Sequence, residues 1–306
     1  MPKVFIIILH LGNFQVLKEC LISCRNISYP DHEIIIINNG PDSRMNLNTM
    51  SKLDDNLSLV INNNSNLGYA RGNNIGVREA VSCGADWVML LNDDTVVSED
   101  FLSILLETAE KSPDTGMVGP KIFYYDSPES VWFDGAHFDF KTCSINTLNS
   151  YASEINEHSA ALESDYITGC ALLIKSHVID KIGLLNERFF LYWEDVDWGL
   201  RAKKAGLKNF VVPQSRIWHK VSASTGGMDS LLRAYHKTRS HLLMASLYAP
   251  AAMTRLHVSF FRDIAWLLIK SSDKNRVLRA RAYMAAIIDY HRGRTDGGPN
   301  WLWNKQ

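Results

Sequence analysis

The sequence has few cysteines and lacks the pairs that would mark a disulfide framework or a zinc site. Five cysteines occur among 306 residues, an odd number with no Cys-x-x-Cys spacing. No charged segment with an apolar core and a cleavage site follows Met1. We therefore expect a protein of the reducing cytoplasm, with free thiols and no structural zinc.

Long apolar runs are missing as well. The longest fall far short of the roughly 20 residues that span a bilayer, so we expect no transmembrane helix. With 46% hydrophobic and 21% charged residues, the composition is that of a globular protein able to bury a sizeable core.

Charge is balanced overall but unevenly distributed. Residues 231–306 carry 13 Lys and Arg against 4 Asp and Glu, whereas residues 1–230 carry 19 against 29. We therefore divide the chain into an acidic body, 1–230, and a basic, mostly helical C-terminal segment, 231–306. The basic residues are spread along apparent amphipathic helices and match no nucleic-acid-binding motif, so we expect no nucleic-acid partner.

Apolar runs of strand length alternate with helical periodicity in the first third of the chain. Strands buried on both faces and separated by helices predict a parallel α/β sheet. Ligands of such sheets bind at the carboxyl ends of the strands, here residues 10–13, 38–40 and 92–94. The predicted strands are Lys3–Leu9, Glu33–Ile37, Leu57–Asn62 and Trp87–Leu91, and the predicted helices span about Gln15–Asn26 and Tyr69–Ser82.

The rest of the chain gives weaker signals. Weak alternation from Tyr124 to Asp165 favours hairpins over helices. Further predicted strands are Met117–Phe123, Tyr166–Ile174 and Asn209–Val212; further predicted helices are one capped by Ser98, Ser176–Gly183, about Val196–Gly206, and most of the chain beyond Asp229.

Three glycines and three asparagines stand between Asn66 and Gly76, where a helix is predicted to open. Glycine lets a backbone approach a ligand closely, and asparagine offers both donors and acceptors. A turn with an N-cap favours the same residue types, but a cap needs only one of them. We therefore favour a ligand-binding loop over a simple cap.

Asn92, Asp93 and Asp94 follow a buried strand directly. Adjacent carboxylates repel each other unless positive charge lies nearby, and oxygen ligands suit Mg²⁺ or Mn²⁺. The cluster predicts a cation site for phosphate oxygens, because the next helix already has its cap in Ser98. His219, just past a later strand, is a second candidate ligand, although a lone histidine is more often structural.

Glu194, Asp195 and Asp197 are flanked on both sides by aromatic residues. Desolvation destabilises the charged form of a carboxylate enclosed in this way, which raises its proton affinity and suits a general base. The alternative is a first helical turn whose acids complement the helix dipole.

Taken together, these motifs resemble the family 2 glycosyltransferases, and among them the rhamnosyltransferase-like enzymes of bacterial polysaccharide assembly. The resemblance covers about residues 3–245. It is carried by a first strand that ends near Asn13, Asn38-Asn39-Gly40, Asn-x-Gly-x-Ala-x-Gly-Asn-Asn-x-Gly from Asn66, Leu-Asn-Asp-Asp-Thr, Thr168-Gly169-Cys170-Ala171, Glu194-Asp195-x-Asp197-x-x-x-Arg201-x-x-x-x-Gly206, and His219-Lys220 with Ser224.

The resemblance implies a GT-A fold: a Rossmann-like nucleotide-binding sheet with a mixed-sheet acceptor half, followed by a C-terminal helical segment. It also implies a nucleotide-sugar donor, a divalent cation and inversion at the anomeric carbon. One departure is Asn92, a weaker metal ligand than the carboxylate at the first position of the family's acidic motif. The implied site residues are Asp195 as base with Glu194 and Asp197 in support; Asp94 and His219 on the metal; Gly169, Cys170 and Trp193 on the acceptor side; and Asn13, Asn38, Asn39, Asn66, Gly68, Gly72, Asn73, Asn92 and Asp93 around the nucleotide.

The expected activity is an inverting transfer of a sugar, rhamnose being one candidate, from a dTDP- or UDP-linked donor to a saccharide or lipid-linked acceptor. Two other functions stay open. A sugar nucleotidyltransferase usually has a basic, Gly-rich loop after its first strand, where this chain has no basic residue before Lys18. A non-catalytic sugar- or nucleotide-binding relative would not need Asp94, Asp195 and His219 together.

An amphipathic helix is predicted at Met253–Lys270, with its apolar stripe beside basic residues. We expect this stripe either to hold the protein peripherally on the anionic inner face of the cell membrane or to be buried in a homodimer. Its residues are Leu256, Phe260, Ile264 and Leu267.

Overall fold

A computed structural model of the chain describes residues 1–40, 51–148, 160–221 and 230–303; Ser224 lies outside them. The strands are β1 (Val4–His10), β2 (His32–Asn38), β3 (Leu57–Asn62), β4 (Trp87–Asn92), β5 (Thr95–Val97), β6 (Thr115–Tyr124), β7 (Ser127–Phe133), β8 (Ala136–Asp139), β9 (Ser144–Thr147), β10 (Leu162–Ser164), β11 (Ala171–Lys175) and β12 (Lys208–His219). The α-helices are α1 (Phe14–Cys24), α2 (Tyr69–Ser82), α3 (Phe101–Glu110), α4 (Ser176–Ile182), α5 (Glu194–Lys204), α6 (Leu231–Tyr248), α7 (Met253–Ile269) and α8 (Arg276–His291).

Most of the described strands join one mixed sheet. Its order is β10-β12-β6-β11-β4-β1-β2-β3, with β5 beside β12 and β7 beside β6. Strands β4, β1, β2 and β3 are parallel, whereas β11 runs antiparallel to both β4 and β6. The predicted parallel half and mixed half are both confirmed, and β8 pairs with β9 in a separate hairpin.

Strand register brings the polar strand ends together at one edge of the sheet. His10 pairs with Asn38, and Leu9 pairs with Asn92. Because β11 starts at Ala171 opposite Leu91, the turn before it reaches the same edge. The strand ends identified from the sequence are therefore neighbours in space.

Several predicted bounds were wrong for identifiable reasons. Strand β11 starts later than expected because the Ala171 N–H donates to the Thr168 carbonyl and closes a turn. β12 is one strand with a register shift between Val212 and Arg216, rather than a short strand. The N-cap position of α3 is Asp100, without a side-chain cap, while the Ser98 hydroxyl bonds the Asp100 carboxylate.

The apolar stripe of α7 is covered by the chain itself. Leu256, Ile264 and Leu267 are buried, and the ring of Phe260 lies against those of His241 in α6 and Tyr283 in α8. The expectation that this stripe docks on a membrane or a second subunit was therefore wrong, because periodicity identifies an apolar face but not its partner. In the described residues, no helix is long and apolar enough to cross a bilayer.

Candidate active site

The side chains of Asp94 and His219 converge where β4 and β12 end. Asp94 Oδ1 lies 3.0 Å from His219 Nε2, and both residues are buried. The backbone holds them together because the Lys220 N–H donates to the Asp94 carbonyl at 2.9 Å. Asp94 Oδ1 nevertheless makes no hydrogen bond of acceptable geometry in the described part of the chain. Two buried ligand atoms that face each other in this way fit a shared cation.

These two donors would form an incomplete metal site by themselves. Within the described ranges, no three His, Cys, Asp or Glu side chains gather into a metal site. Mg²⁺ commonly binds one or two protein carboxylates and takes its remaining ligands from water and substrate phosphates. The donor set therefore fits a cation that arrives with a diphosphate.

Asp93 faces a different histidine. His10 Nδ1 and Asp93 Oδ2 lie 2.6 Å apart, and both residues are buried. Burial raises the pKa of Asp93, and contact with His10 opposes that rise. The two adjacent carboxylates, Asp93 and Asp94, are thus accommodated because each has its own imidazole.

Asp195 is the accessible acid among the three at the start of α5. It is half-buried, whereas Glu194 and Asp197 are 5% and 2% exposed. Its carboxylate accepts the N–H of Gly169 at 2.9 Å and that of Val196 at 2.8 Å. Burial raises its pKa, while these N–H groups act in the opposite direction. An oriented, partly open carboxylate with raised proton affinity fits a general base.

The two neighbouring acids have different environments. Glu194 Oε2 has no hydrogen-bond partner in the described structure, and burial followed by the charge of Asp195 raises its pKa well above the ordinary value. Asp197 accepts from Arg201 Nε at 2.9 Å and from the Tyr248 hydroxyl at 2.8 Å. Asp197 therefore ties α5 to α6, and its supporting role in the reaction stays a prediction.

The backbone before α5 is strained. Tyr192 and Trp193 have φ values of 69° and 73°, in the left-handed region that non-glycine residues rarely adopt. The Trp193 ring stacks on His241 with 4.6 Å between ring centroids. Gly169 is required nearby because a Cβ there would lie 2.6 Å from the Tyr69 hydroxyl, which donates to the Gly169 carbonyl.

Asparagine side chains hold the loop that leads into α2. Asn39 donates to Asn66 Oδ1 at 3.0 Å and accepts the Leu67 N–H at 3.0 Å. Asn38 donates to Asn62 Oδ1 at 2.7 Å. Because Asn38 and Asn39 are each 2% exposed, their role in the structure is to hold the loop in place from inside the protein. Direct contact of either with a nucleotide stays a prediction.

The glycines of this loop pack against protein, which corrects the argument that a ligand requires them. A Cβ on Gly68 would lie 2.4 Å from the Phe190 carbonyl, and one on Gly72 would lie 2.5 Å from Leu9 Cδ1. The Asn73 amide donates to the Tyr69 carbonyl and is 1% exposed. Close approach of α2 to the sheet therefore explains Gly72, whereas Asn73 is held by a bond within the helix.

Three further predicted residues lie along the same edge. Asn13 is exposed and caps α1, accepting the Gln15 N–H at 3.0 Å. The Asn92 N–H donates to the carbonyl of buried Cys170 at 2.9 Å, which joins the metal-side and acceptor-side segments. All five cysteines are free, as expected.

Sequence reasoning missed three residues of this site. His10 was noted only as the end of a strand. A histidine at the end of one buried strand, with acidic residues at the end of a second, could itself have indicated a site residue. Tyr69 bonds the backbone beside Asp195, and Trp132 packs edge-on against His219 with centroids 4.5 Å apart. Trp132 and Tyr69 carry no motif that would have identified them.

Known proteins share sequence similarity with most of this chain. The sequence model of the family described as "Glycosyltransferase like family 2" matches residues 2–239. The dTDP-rhamnosyl transferase RfbF of Shigella flexneri is 24% identical over 268 residues, which cover 84% of this chain and 86% of the relative. The N-acetylglucosaminyl-diphospho-decaprenol L-rhamnosyltransferase of Mycobacterium tuberculosis is 30% identical over 164 residues, 50% of this chain and 53% of the relative.

Solved structures show the same fold. GalNAc-T7 with UDP, GalNAc and Mn²⁺ superposes with a TM-score of 0.63 at 13% identity, covering 94% of this chain and 55% of that one. The mannosyltransferase PcManGT from Pyrobaculum calidifontis, in complex with GDP-Man and Mn²⁺, gives 0.56 at 14% identity, covering 95% and 75%. The expected GT-A fold is thereby confirmed.

Proposed function

The chain belongs to family 2 of the glycosyltransferases, and from that premise we propose that it transfers a sugar, with inversion, from a dTDP- or UDP-linked donor. Rhamnose is the first candidate because two relatives are rhamnosyltransferases, one of them named for dTDP. The proposed acceptor is a saccharide or a lipid-linked saccharide of polysaccharide biosynthesis, since the second relative is named for a diphospho-decaprenol acceptor.

The observation that carries the proposal is the accessibility of Asp195 between two buried acids. In an inverting transfer the acceptor oxygen bonds to the anomeric carbon as the bond to the diphosphate breaks. The acceptor proton passes to the Asp195 carboxylate, whose orientation the Gly169 N–H maintains. The nucleoside diphosphate leaves on the opposite side of the sugar.

Asp94 and His219 would hold a divalent cation, Mg²⁺ or Mn²⁺, beside the leaving diphosphate. When bound, such a cation neutralises negative charge on phosphate oxygens. Two solved neighbours contain Mn²⁺. Asp93 is in contact with His10 instead of His219. We therefore assign Asp93 to supporting the site rather than to the metal's ligand set.

Replacing the proposed base tests the function directly. Asp195→Asn should lower transfer by about 10²–10⁴-fold, because general base catalysis supplies about that factor, while the fold and donor binding stay nearly intact. The measurement is release of nucleoside diphosphate from a panel of dTDP-, UDP- and GDP-sugars with candidate acceptors. Asp180→Asn, an exposed acid on α4, is the matched control and should leave the rate unchanged.

Near-normal turnover of Asp195→Asn would make Glu194 or Asp197 the candidate base. Formation of a nucleotide sugar from a nucleoside triphosphate and a sugar phosphate would instead identify a nucleotidyltransferase, and donor binding without turnover would indicate a non-catalytic relative.

We also propose that the catalytic domain is residues 1–230, with the helices from Leu231 onward as a second unit, in a cytoplasmic protein.

A further inference from the structure

A cavity of about 410 Å³ lies near the start of α5 and has no part in the mechanism above. It opens between β9 and Trp193 on one side and helices α6, α7 and α8 on the other. Trp193 forms part of its wall and is also the residue before α5, whose second residue is Asp195. A molecule held in this cavity against Trp193 would therefore contact the turn that leads into α5 and its candidate base, Asp195.

The cavity has an excess of positive charge. Arg233 and Lys237 stand one turn apart on α6, and Arg279 faces them from α8, against the single acid Asp263 among the lining residues. Arg279 is engaged by Asp273 at 2.9 Å. Within the described residues, neither Arg233 nor Lys237 has a carboxylate within ion-pair distance.

Arg233 and Lys237 are four residues apart on one helix, and two like charges at this spacing destabilise the helix. Lys237 is exposed, but partial desolvation and the nearby charge of Arg233 lower its pKa. A bound anion would reverse both effects, because it would neutralise the pair and favour the charged form of lysine. Lys237 Nζ lies 6.0 Å from the centroid of the Tyr192 ring, so what the pair lacks in the described residues is a carboxylate.

The wall next to these cations is aromatic. The Trp193 ring stacks on His241 at an angle of 21°, and His241 Nε2 lies 2.6 Å from the Cys143 carbonyl, which holds the imidazole in place. Phe260 meets the His241 ring edge-on. An aromatic wall beside two cations suits a ligand with a sugar ring and an attached anionic group.

We propose that this cavity is an acceptor subsite, in which Arg233 and Lys237 bind a phosphate or diphosphate ester carried by the acceptor while Trp193 contacts its sugar. The identification of the ligand as an acceptor rests on the proposed function, but the anion site rests on the cavity alone. It restricts the acceptor class to glycosyl phosphates and diphosphates, whether attached to a lipid or free.

The first test uses inorganic pyrophosphate and needs no activity. Thermal stabilisation by pyrophosphate, without divalent cation and in the Asp94→Ala background, reports this cavity rather than the donor site. We expect salt-sensitive stabilisation that Arg233→Gln/Lys237→Gln abolishes. The control Lys274→Gln/Arg292→Gln removes the same charge from exposed positions outside the cavity and should retain stabilisation.

The second test separates the sources of the phosphate. Wild type and Arg233→Gln/Lys237→Gln are compared on a short-chain lipid glycosyl diphosphate, the free glycosyl phosphate, and the methyl glycoside of the same sugar. We expect KM for both charged acceptors to rise about 10–100-fold in the variant, from the loss of charge-assisted hydrogen bonds, with kcat and KM for the methyl glycoside little changed. A larger effect on the lipid-linked acceptor would identify it as the natural source.

Absence of pyrophosphate stabilisation in wild type, or its persistence in the cavity variant, overturns the proposal whatever the enzyme's activity. Equal losses on charged and neutral acceptors would overturn it as well. Loss of all transfer with intact pyrophosphate binding would instead contradict the proposed function and leave the anion site standing.

Discussion

At the scale of single residues, the site distinguishes acids that are close in sequence by giving each a different environment. Asp195 is half-buried and held by backbone N–H groups, Asp197 is paired with Arg201, and Glu194 is buried without a partner for Oε2 in the described residues. Environments that push the pKa values of neighbouring groups apart are a mark of acid–base sites.

Glu194→Gln should show the cost of burying this acid. Its pKa is raised, so the folded chain retains a proton that the unfolded chain has released. The contribution to stability is therefore highest below the unfolded pKa of about 4.3 and falls as pH rises toward the folded pKa. Glutamine resembles the neutral form and escapes this loss, so the melting temperature of the variant relative to wild type should increase from pH 5 to pH 8. The exposed Glu99→Gln should give a flat difference, and a flat or falling difference for Glu194→Gln would contradict the assignment.

Asp94→Ala and Asp93→Ala should differ in metal-dependent binding. Asp94 faces His219, so its replacement would remove a direct ligand of the metal. Asp93 faces His10, so its replacement would affect the metal only indirectly. Titration calorimetry with dTDP or UDP and Mn²⁺ should show loss of the metal-dependent affinity in Asp94→Ala and a weakening of about tenfold in Asp93→Ala. Equal losses in both variants would show that the metal-binding acid is wrongly assigned.

At the scale of elements, the position of α2 decides the shape of the nucleotide edge. Its glycines let the helix approach β1 so closely that side chains are excluded. The helix begins where the Tyr69 N–H donates to the Phe190 carbonyl, and Phe190 belongs to the segment that precedes the candidate base. The packing of one helix thus connects the loop of Asn66 with the strained turn at Trp193.

Gly72→Ala should destabilise the protein by about 1–3 kcal/mol, the usual result of overpacking a core, because the new methyl group would meet Leu9. Chemical denaturation without nucleotide is the measurement. Adding Leu9→Ala should recover part of the loss, since the two changes share one contact. Unchanged stability with a loss of nucleotide affinity would restore the interpretation of this glycine as a ligand contact.

At the scale of the whole molecule, the basic C-terminal helices present a second apolar face. Residues opposite the covered stripe of α7 are exposed, and they lie on one side of the helix by its 3.6-residue repeat. Arg255 and Arg262 lie among them, in a segment with 13 basic and 4 acidic residues. This charge complements an anionic lipid surface. The exposed apolar residues are Val258, Phe261, Trp266, Leu268 and Ile269.

We therefore expect salt-sensitive binding to vesicles that contain anionic lipid, and little binding to neutral ones. Phe261→Ser/Ile269→Ser should remove the apolar contribution and lower the vesicle-bound fraction in co-sedimentation about tenfold or more, from about 25 cal/mol per Å² of lost burial. Ile22→Ser, at an exposed position on α1, is the control and should bind as wild type does. Absence of binding together with a dimeric mass would assign the face to a subunit interface.

Local hydrophobic pattern determined much of this protein by itself, because burial within one element leaves a period in the sequence. The strand Leu57–Asn62 and the helix Tyr69–Ser82 were predicted to the residue. Pattern and motif also identified Asp94, Asp195 and His219 as candidates that the fold brings to one edge of the sheet. The separate roles of these three residues stay predictions.

Tertiary structure alone decided which groups meet. His10 and Asp93 are 83 residues apart in sequence, and no local signal pairs them. The neighbours of Gly72 and the covered face of α7 likewise depend on chain segments far away. An amphipathic period or a glycine indicates that another part of the chain packs closely there, but not which part. The energy that selects the partner comes from packing between distant residues, and this packing exists only in the folded molecule.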